Sequence, residues 1–461
     1  MNETRALAEF VAGIQYRDLT EEVIDKAKNL ILDQLGCQLA FATLPWSKII
    51  YRYVEAKHGG KEISTVSYYG LRTVTEDAVF ANATFGHGFE MDDDEAHTMS
   101  HPGVVVIPSA LALGEAKGIN GKEFLTAVVA GYDAMLRVGM SSVSMMNRGF
   151  HTTAVAGPFG AAAAAGKVMG QDGERLLNAF SIAASEASGI SEYTISGGSV
   201  KRLHAGFAAQ SGVKAVSLSE LGVTGPTAAL EGKKGVLQAF ANEYFPEEIT
   251  RDLGREFRIL WTGHKPYCCC AAQHTTIDAV SEIIKEHHVR WEEINEIMVE
   301  QMPREIRAVG NIVQPEDMIS AQFSGRFGIA LRLIRGSNGF RDYSDENIRD
   351  PELLELAGKI TYAEDHEMEK MPPGAAPTRI TMKLKNGDTY TSRVDYAKGT
   401  PENPMTAEEI KEKFRGLAST VIPQKQVEKI IGTVRDLENL ENIQGLIHLL
   451  TIDKSSNSLW P

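Results

Sequence analysis

Residues 152–170 read TTAVAGPFGAAAAAGKVMG, a run of mostly alanine and glycine without the alternation of a strand. Small side chains let helix axes approach closely, so this run predicts a helix packed tightly against its neighbours. Residues 104–118, 121–140 and 174–187 have the same character. Together these stretches predict a bundle whose central helices are buried on most sides.

The first helices of the chain show the helical period as well. One predicted helix carries apolar residues at positions i, i+3, i+4 and i+7 of a single face, namely Leu7, Phe10, Val11 and Ile14. A start signal at Thr20-Glu21-Glu22 precedes a second amphipathic helix. Because this periodicity continues to about residue 265, this part of the chain is predicted to be helical throughout.

The period changes after about residue 290. Residues 294–300 alternate like a strand, residues 316–334 predict a helix, and residues 379–394 form two alternating runs joined by Asn386-Gly387. An Asn-Gly pair between such runs predicts a β-hairpin with a type I′ turn, in which both central residues have positive φ. This part of the chain is predicted to be a smaller α+β unit.

Helical periodicity returns towards the C-terminus. Residues 406–409 read Thr-Ala-Glu-Glu, which is a capping box at the start of a helix. The last helices are expected either to rejoin the first domain or to cover its edge. The predicted fold class is therefore mostly α, with a large all-helical domain and a smaller α+β (α/β) domain.

Composition argues against several classes of protein. The 461 residues suffice for two or three folding units, and 47 Lys and Arg against 61 Asp and Glu give a net charge of −14. Without clustered positive charge, nucleic acid is not an expected partner. The longest apolar run, residues 154–166, is shorter than the roughly 20 residues of a membrane-spanning helix, so no membrane association is expected. Neither a secretory signal nor a Cys-x-x-Cys pair is present, and a cytoplasmic protein is predicted.

Residues 82–102 read NATFGHGFEMDDDEAHTMSHP, with three histidines and five carboxylates. A metal site is one interpretation, because His97 and His101 stand at i and i+4, although Pro102 disfavours helical backbone at His101. Acid/base catalysis is the second, with a histidine that moves a proton and carboxylates that set its pKa. A solvated acidic loop is the third. Spacing alone leaves all three open.

Three further segments carry histidines or cations. Residues 148–153 place His151 before a Thr-Thr pair that can cap a helix, so His151 is predicted at a helix N-terminus, where an anion is favoured. Residues 199–206 hold two cations and a histidine, and residues 264–270 begin with His-Lys-Pro-Tyr. A structural histidine and a solvated basic turn are the alternatives. No phosphate-binding glycine motif or serine nucleophile elbow is present.

In this order, the segments resemble the MmgE/PrpD family of 2-methylcitrate dehydratases, cis-aconitate decarboxylases and related epimerases. The resemblance covers nearly the whole chain and rests on Asp33-Gln34-Leu35-Gly36-Cys37, residues 82–102, Gly149-Phe150-His151-x-Thr153, Lys201-x-Leu203-His204-x-Gly206, Lys265-Pro266-Tyr267 and Ala321-Gln322-Phe323-Ser324. It implies a large helical domain from residues 1–265 and 405–461, a small lid domain from residues 266–404, a homodimer, and no metal or organic cofactor.

The resemblance also implies the site residues, in a cleft between the two domains. Those expected to be catalytic are His101, His151 and Glu90, and those expected to bind substrate are Lys201, Lys265 and His204. Glu90 stands where an Asp is usual in the family, Phe327 where many relatives have Tyr, and Cys270 where the decarboxylases have His. The last two changes remove possible proton donors, which argues against decarboxylation or indicates a different substrate.

The expected activity is that of a lyase without a cofactor that acts on a small di- or tricarboxylate. Abstraction of a proton α to a carboxylate needs a base of near-neutral pKa and cations that stabilise the developing charge. His101 or His151 suits the first role, and Lys201 and Lys265 suit the second. The favoured reaction is a dehydration like that of 2-methylcitrate dehydratase. A decarboxylase of the cis-aconitate type, an epimerase (isomerase) and a non-catalytic carboxylate-binding protein are the alternatives.

Overall fold

The computed structural model describes residues 2–57, 62–372 and 374–452, and the chain forms two compact units. The first comprises the described residues of Met1–Gly88, Asp92–Thr262 and Thr406–Pro461, and the second comprises those of Phe89–Met91 and Gly263–Met405. Residues 89–91, 263–265 and 405, which the sequence-based division assigns to the large domain, therefore belong to the second unit. The fold is mostly α with a smaller α+β part, as predicted.

Helices make up most of the first unit. Their bounds are Glu3–Gly13, Glu21–Phe41, Pro45–Ala56, Thr75–Gly86, Gly103–Lys117, Gly121–Ser141, Thr152–Met169, Gly173–Glu186, Tyr193–Ser196, Val200–Glu220, Val236–Phe240, Glu247–Thr250, Ala407–Ala418, Gln424–Arg435 and Gln444–Leu449. The four Ala- and Gly-rich stretches are helices, which confirms the prediction. The unit is not entirely helical, however, because strands Ser64–Val66 and Leu71–Thr73 pair in an antiparallel hairpin.

Side-chain caps fix where two of these helices begin. Thr20 accepts a hydrogen bond from the backbone N–H of Val23, and Thr406 and Glu409 form the predicted capping box. Each cap satisfies backbone donors that the first turn of a helix leaves without partners. The start signals in the sequence therefore predicted both positions correctly.

The helix Thr152–Met169 packs against Gly121–Ser141 and Val200–Glu220 at short range, and glycine makes this possible. A Cβ atom at Gly160 would lie 2.7 Å from Cβ of Met135, and one at Gly212 would lie 2.4 Å from Cβ of Ala161. Such separations are shorter than real Cβ contacts, so any larger residue would force the helices apart. The close approach predicted from the composition of these helices is confirmed.

The substitution Gly212→Ala is expected to lower the free energy of unfolding by about 1–3 kcal/mol, the usual effect of overpacking a core. Its new methyl group would also lie 2.6 Å from the carbonyl oxygen of Pro158, which is backbone and cannot rotate away. Gly432→Ala is the matched control, because it lies within the helix Gln424–Arg435 with nothing within 4 Å. That control should gain up to about 1 kcal/mol from helix propensity. If urea unfolding gave the same increase in the free energy of unfolding for both substitutions, the packing argument would be contradicted.

A four-stranded sheet organises the second unit. The strands lie in the order Ile360–Glu364, Ile294–Gln301, Thr378–Leu384, Thr389–Val394, with the first pair parallel and the others antiparallel. The helices of this unit are His274–His287, Pro303–Val309, Met318–Gln322, Gly325–Arg335, Asp345–Ile348 and Pro351–Gly358. The predicted strand at residues 294–300 and the predicted hairpin are both confirmed.

Two details of the second unit differ from the prediction. Residues 316–334 form two helices and not one, because Ser324 accepts a hydrogen bond from the N–H of Phe327 and starts a new helix. The hairpin turn is not type I′, since Gly387 has φ 97° but Asn386 does not have positive φ. The side-chain oxygen of Asn386 instead accepts from the N–H of Asp388 at 3.0 Å, an Asx turn that the dipeptide alone does not reveal.

No helix within the described ranges combines the length and the apolar character needed to cross a membrane.

Candidate active site

Four buried imidazole rings lie together in the first unit. The ring of His87 is centred 5.1 Å from that of His101 and 6.0 Å from that of His151, and the rings of His101 and His151 are 6.4 Å apart. His204 lies 5.2 Å from His151. We refer to these four residues as the histidine cluster.

Helix ends bring the cluster together. His87 directly follows the helix Thr75–Gly86, His101 lies two residues before the helix Gly103–Lys117, and His151 is the N-cap residue of Thr152–Met169. His204 lies near the start of Val200–Glu220. Backbone groups at helix ends lack intrahelical partners, so polar side chains and anions gather there.

The predicted position of His151 at a helix N-terminus is confirmed, but the predicted cap is wrong. Among the described residues, no side chain caps this helix. The Thr153 hydroxyl oxygen instead accepts a hydrogen bond from the backbone N–H of His101 at 3.0 Å. Thr153 therefore ties the segment that carries His101 to the helix that begins after His151.

Acidic groups surround His101. Its Nδ1 lies 2.7 Å from the backbone carbonyl oxygen of Asp93, 3.4 Å from Oδ2 of Asp92 and 3.6 Å from Oδ1 of Asp94. A carbonyl oxygen accepts from Nδ1–H, and neighbouring carboxylates favour a protonated ring. The arrangement therefore suits His101 to donate a proton.

The side chain of Asp93 fixes the backbone on both sides of this contact. Its carboxylate accepts hydrogen bonds from the N–H of Gly103 and from the hydroxyl of Tyr132, the latter at 2.8 Å. Burial raises the pKa of Asp93 well above its usual value, and the neighbouring charge of Asp92 adds to this effect. Asp93 thus holds His101 through its carbonyl oxygen and the following helix through its side chain.

His151 and His204 form a second pair. Their Nδ1 atoms lie 3.0 Å apart, so one ring donates a hydrogen bond and the other accepts it. Burial lowers the pKa of His151 well below its usual value, and the charges of His87 and Lys201 lower it further. Burial and Lys201 also lower the pKa of His204. His151 is therefore neutral near pH 7 and suited to accept a proton.

Lys201 is the cation of the first unit that acts on the cluster most widely. It lies in the first turn of Val200–Glu220 and is 8% exposed. Its positive charge contributes to the lowered pKa of His87, His151 and His204. A buried ammonium group among neutral imidazoles provides a binding position for a carboxylate.

Glu90 and Lys265 form a buried ion pair in the second unit, with 3.7 Å between Oε2 and Nζ. The segment of Glu90 is held by its neighbour Phe89, whose carbonyl oxygen accepts from Cys268 Sγ at 3.0 Å and from Gln322 Nε2 at 2.9 Å. Glu90 itself has φ 53°, a backbone conformation that is rare outside glycine. The motif at residues 321–324 thus has a structural role in placing Glu90.

The structure places the six predicted site residues in two clusters, one within each unit. His101, His151, Lys201 and His204 come together in the first unit, whereas Glu90 and Lys265 pair in the second. Sequence reasoning did not single out His87, Asp92 or Tyr132. His87 and Asp92 belong to the segment 82–102, whose histidines and carboxylates were noted only as a group, and Tyr132 lies within a predicted helix and gave no signal.

The sequence left a metal site open as one interpretation of residues 82–102. Within the described ranges, no three side chains of His, Cys, Asp or Glu are arranged to hold one ion. His97 and His101, the pair that suggested a metal site, have different partners: His97 Nδ1 lies 2.7 Å from Glu95, whereas His101 Nδ1 lies 2.7 Å from the carbonyl oxygen of Asp93.

Because His151 has a lowered pKa, its contribution to stability should depend on pH. The unfolded chain takes up a proton below about pH 6.5 whereas the folded protein does not, so the contribution is complete above that pH and declines below it. The stability advantage of wild type over His151→Gln should therefore shrink by up to about 2 kcal/mol between pH 6.5 and pH 5. Urea unfolding of both proteins measures this difference. A constant difference would contradict the neutral, buried state of His151.

Buried histidines next to carboxylates and a buried lysine are the groups that proton transfer on an anionic substrate requires. Comparison with known families agrees. The model of the MmgE/PrpD N-terminal domain matches residues 5–248, and that of the MmgE/PrpD C-terminal domain matches residues 267–439. The chain belongs to the MmgE/PrpD family, as its motifs predicted, and it is a lyase of this family.

Curated relatives match over nearly their whole length. The cis-aconitate decarboxylase of Aspergillus terreus is 26% identical, over 97% of this chain and 95% of the relative. The cis-aconitate decarboxylases of Homo sapiens and Mus musculus are 26% and 27% identical, each over 97% of this chain, and 94% and 93% of those proteins are covered.

Proposed function

We propose that this lyase acts on a small di- or tricarboxylate by moving a proton α to a carboxylate, and that the overall reaction is a dehydration of the 2-methylcitrate dehydratase type. One observation carries the proposal. His151 lies where burial keeps it neutral, whereas His101 lies against carboxylates that favour its protonated form. Two titratable groups whose environments push them in opposite directions form a base and an acid.

The mechanism assigns one role to each group. His151 removes the α-proton, and Lys201 stabilises the negative charge that develops on the carboxylate. The electron pair of the broken C–H bond is held first on the carboxylate beside Lys201, as an enolate-type dianion, and then forms the C=C bond as the β C–O bond breaks. His101 protonates the departing hydroxyl group, which leaves as water.

The remaining predicted residues have supporting roles in this proposal. Lys265 binds a second carboxylate of the substrate. Glu90, which forms an ion pair with Lys265, is assigned a catalytic role. His204 was expected to bind substrate, but its 3.0 Å contact with Nδ1 of His151 supports a different role, because it fixes which nitrogen of His151 carries the proton.

Decarboxylation is the second candidate, because the curated relatives are cis-aconitate decarboxylases. Loss of CO2 leaves a carbanion that needs only an acid, so a site with a separate neutral base exceeds the requirement. The presence of both an acid, His101, and a neutral base, His151, therefore favours dehydration. The similarity to the curated relatives favours decarboxylation.

One experiment distinguishes the candidates. The protein is incubated in deuterated water with 2-methylcitrate, citrate, cis-aconitate and iminodisuccinate, and NMR follows the products and the deuterium they contain. An alkene formed from 2-methylcitrate or citrate supports dehydration, whereas CO2 from cis-aconitate supports decarboxylation. Inversion of iminodisuccinate without elimination supports epimerisation. Tight binding without turnover of any compound would contradict the enzyme assignment.

Dialysis against EDTA is expected to leave turnover unchanged. A loss of turnover that an added metal ion restores would contradict the assigned roles.

The protein is expected to form a homodimer through an apolar patch on the first unit. Tyr53 and Phe207 are 55% and 47% exposed, and the ring of each packs against that of Phe80. Light scattering at micromolar concentration should give about twice 50.3 kDa, and Phe207→Glu should give the monomer mass. Phe245→Glu is the matched control, because Phe245 is equally exposed outside this patch. A monomeric wild type would contradict the expectation.

A further inference from the structure

A short segment of the first unit lies next to the pair of His151 and His204. It comprises residues 189–199, which directly precede the helix Val200–Glu220, and we refer to it as the covering segment. Residues 197–199 are exposed, whereas His151 and His204 are only 7% and 5% exposed. The covering segment is thus a surface layer beside two buried histidines.

Backbone hydrogen bonds tie the start of the covering segment to the residues around His151. The N–H of His151 donates to the carbonyl oxygen of Gly189 at 3.0 Å, and the N–H of Ser191 donates to that of Gly149 at 2.8 Å. Only glycine fits at position 189, because a Cβ atom there would lie 2.4 Å from Cβ of Ala154. The start of the segment therefore has a fixed position relative to His151.

Two glycines let the chain turn at the other end of the covering segment. The short helix Tyr193–Ser196 ends at Gly197, whose φ of 76° and ψ of −162° are accessible essentially to glycine alone. Gly198 follows with φ 100°. The turn leads into the helix Val200–Glu220, which carries His204. The short helix is consequently held from both sides close to the histidine pair.

Tyr193 is the residue of the covering segment that contacts both histidines. Its half-buried ring is centred 5.7 Å from that of His151 at 74°, and 5.7 Å from that of His204 at 71°. Near-perpendicular packing is a favourable arrangement of aromatic rings. The two imidazoles, whose Nδ1 atoms lie 3.0 Å apart, thus share one aromatic neighbour.

We propose that Tyr193 is a positioning residue, whose ring shields the pair of His151 and His204 from water and keeps the two imidazoles in contact. This inference rests on the proposed function, in which His151 is the base. Exclusion of water strengthens a hydrogen bond and disfavours a charged imidazolium. The role is assigned to the ring, because ring contacts join Tyr193 to both histidines.

Charged and titratable groups act on His151 as well. Those that face it are His87 and His101, with ring centres 6.0 and 6.4 Å away, and His204 and Lys201 on the helix Val200–Glu220. Glu192 is the charged residue of the covering segment. Burial is nevertheless the largest cause of the lowered pKa of His151. Substitution of Tyr193 leaves all these groups in place, so its effect is expected to arise from burial.

The first test is the pH profile of kcat/KM, with the substrate that the NMR panel identifies. Tyr193→Ala admits water to His151 and should raise its pKa, so activity should be lost at a pH about half to one unit higher than in wild type as the solution is acidified. This shift is a three- to tenfold gain in proton affinity. Tyr193→Phe keeps the ring and should have the wild-type profile.

Tyr244→Ala is the matched control. Tyr244 also lies at the surface of the first unit, where its hydroxyl donates to Oε1 of Gln238 at 2.7 Å. Its removal should leave the pH profile unchanged. A thermal scan shows whether each variant folds. If Tyr193→Ala does not fold, Tyr193→Asn also removes the ring and should shift the profile in the same direction.

The second test is an NMR titration of the histidine rings without substrate, with His151 assigned by loss of its signal in His151→Gln. The midpoint of His151 should rise by the same half to one pH unit in Tyr193→Ala and stay unchanged in Tyr193→Phe. An unchanged midpoint in Tyr193→Ala, or an equal rise in Tyr193→Phe, would overturn the proposal.

The two tests also separate failure of this inference from failure of the proposed function. If the midpoint of His151 rises in Tyr193→Ala but no compound of the panel is turned over, the shielding by Tyr193 stands and the proposed function is wrong. If the enzyme is active but the midpoint is unchanged, the lyase mechanism stands and the role of Tyr193 is wrong.

Discussion

The substitution His101→Gln is expected to lower kcat by about 10² to 10⁴, the usual loss when a general acid or base is removed. Glutamine can still donate towards the carbonyl oxygen of Asp93, which His101 contacts at 2.7 Å, but it cannot release a proton. KM and the melting temperature should change little, because the substrate is bound mainly through cations. Steady-state kinetics and a thermal scan on the same preparation measure all three quantities.

His448→Gln is the control for this substitution, because His448 lies exposed in the helix Gln444–Leu449 of the same unit. It should have wild-type kinetics. If His101 were a buried structural residue, activity and stability would fall together. A well-folded and fully active His101→Gln enzyme would contradict the assignment, and the mechanism would then have to centre on His151.

The substitution Lys201→Met is expected to raise KM roughly 10- to 100-fold. A hydrogen bond to a charged group contributes about 1.5–3 kcal/mol, and the methionine side chain keeps the apolar stem while removing the ammonium group. Because the lysine binds carboxylate in both the ground and transition states, kcat should change less than KM. Initial rates over a wide range of substrate concentration give both values.

A second readout separates binding from packing. The charge of Lys201 helps to lower the pKa of His151, so its removal should raise that pKa. Since the base must be neutral, activity in Lys201→Met should be lost at a higher pH than in wild type as the solution is acidified. Lys214→Met on the same helix is the control, because Lys214 is half-exposed and pairs with Glu186. An unchanged pH profile and KM in Lys201→Met would contradict its role.

Local sequence patterns predicted most helices and strands because their causes are local. Alanine and glycine content identified the buried helices, and Thr20 and Thr406 identified the starts of two amphipathic helices. Errors occurred where one side chain made a specific hydrogen bond. Ser324 interrupts a predicted helix, and Asn386 replaces a type I′ turn with an Asx turn.

The candidate site was predictable as a set of segments but not as a set of contacts. The Thr-Thr pair predicted that His151 lies at a helix start, whereas Pro102 indicated only that His101 does not lie within a helix. The contact between His151 and His204 depends on how two helices pack, and the placement of Asp92 between His87 and His101 depends on the backbone between them. Neither follows from spacing along the chain, so the structure was needed to assign an acid and a base.

The most direct test of the central claim, proton transfer by two histidines with opposite roles, is deuterium exchange into the substrate that the NMR panel identifies. Recovered substrate is analysed for deuterium at the carbon α to the carboxylate, after incubation in deuterated water with wild type, His151→Gln or His101→Gln. We expect His151→Gln to abolish exchange, because the base is lost, and His101→Gln to exchange the proton without completing the elimination. Exchange at the wild-type rate in His151→Gln would contradict the account.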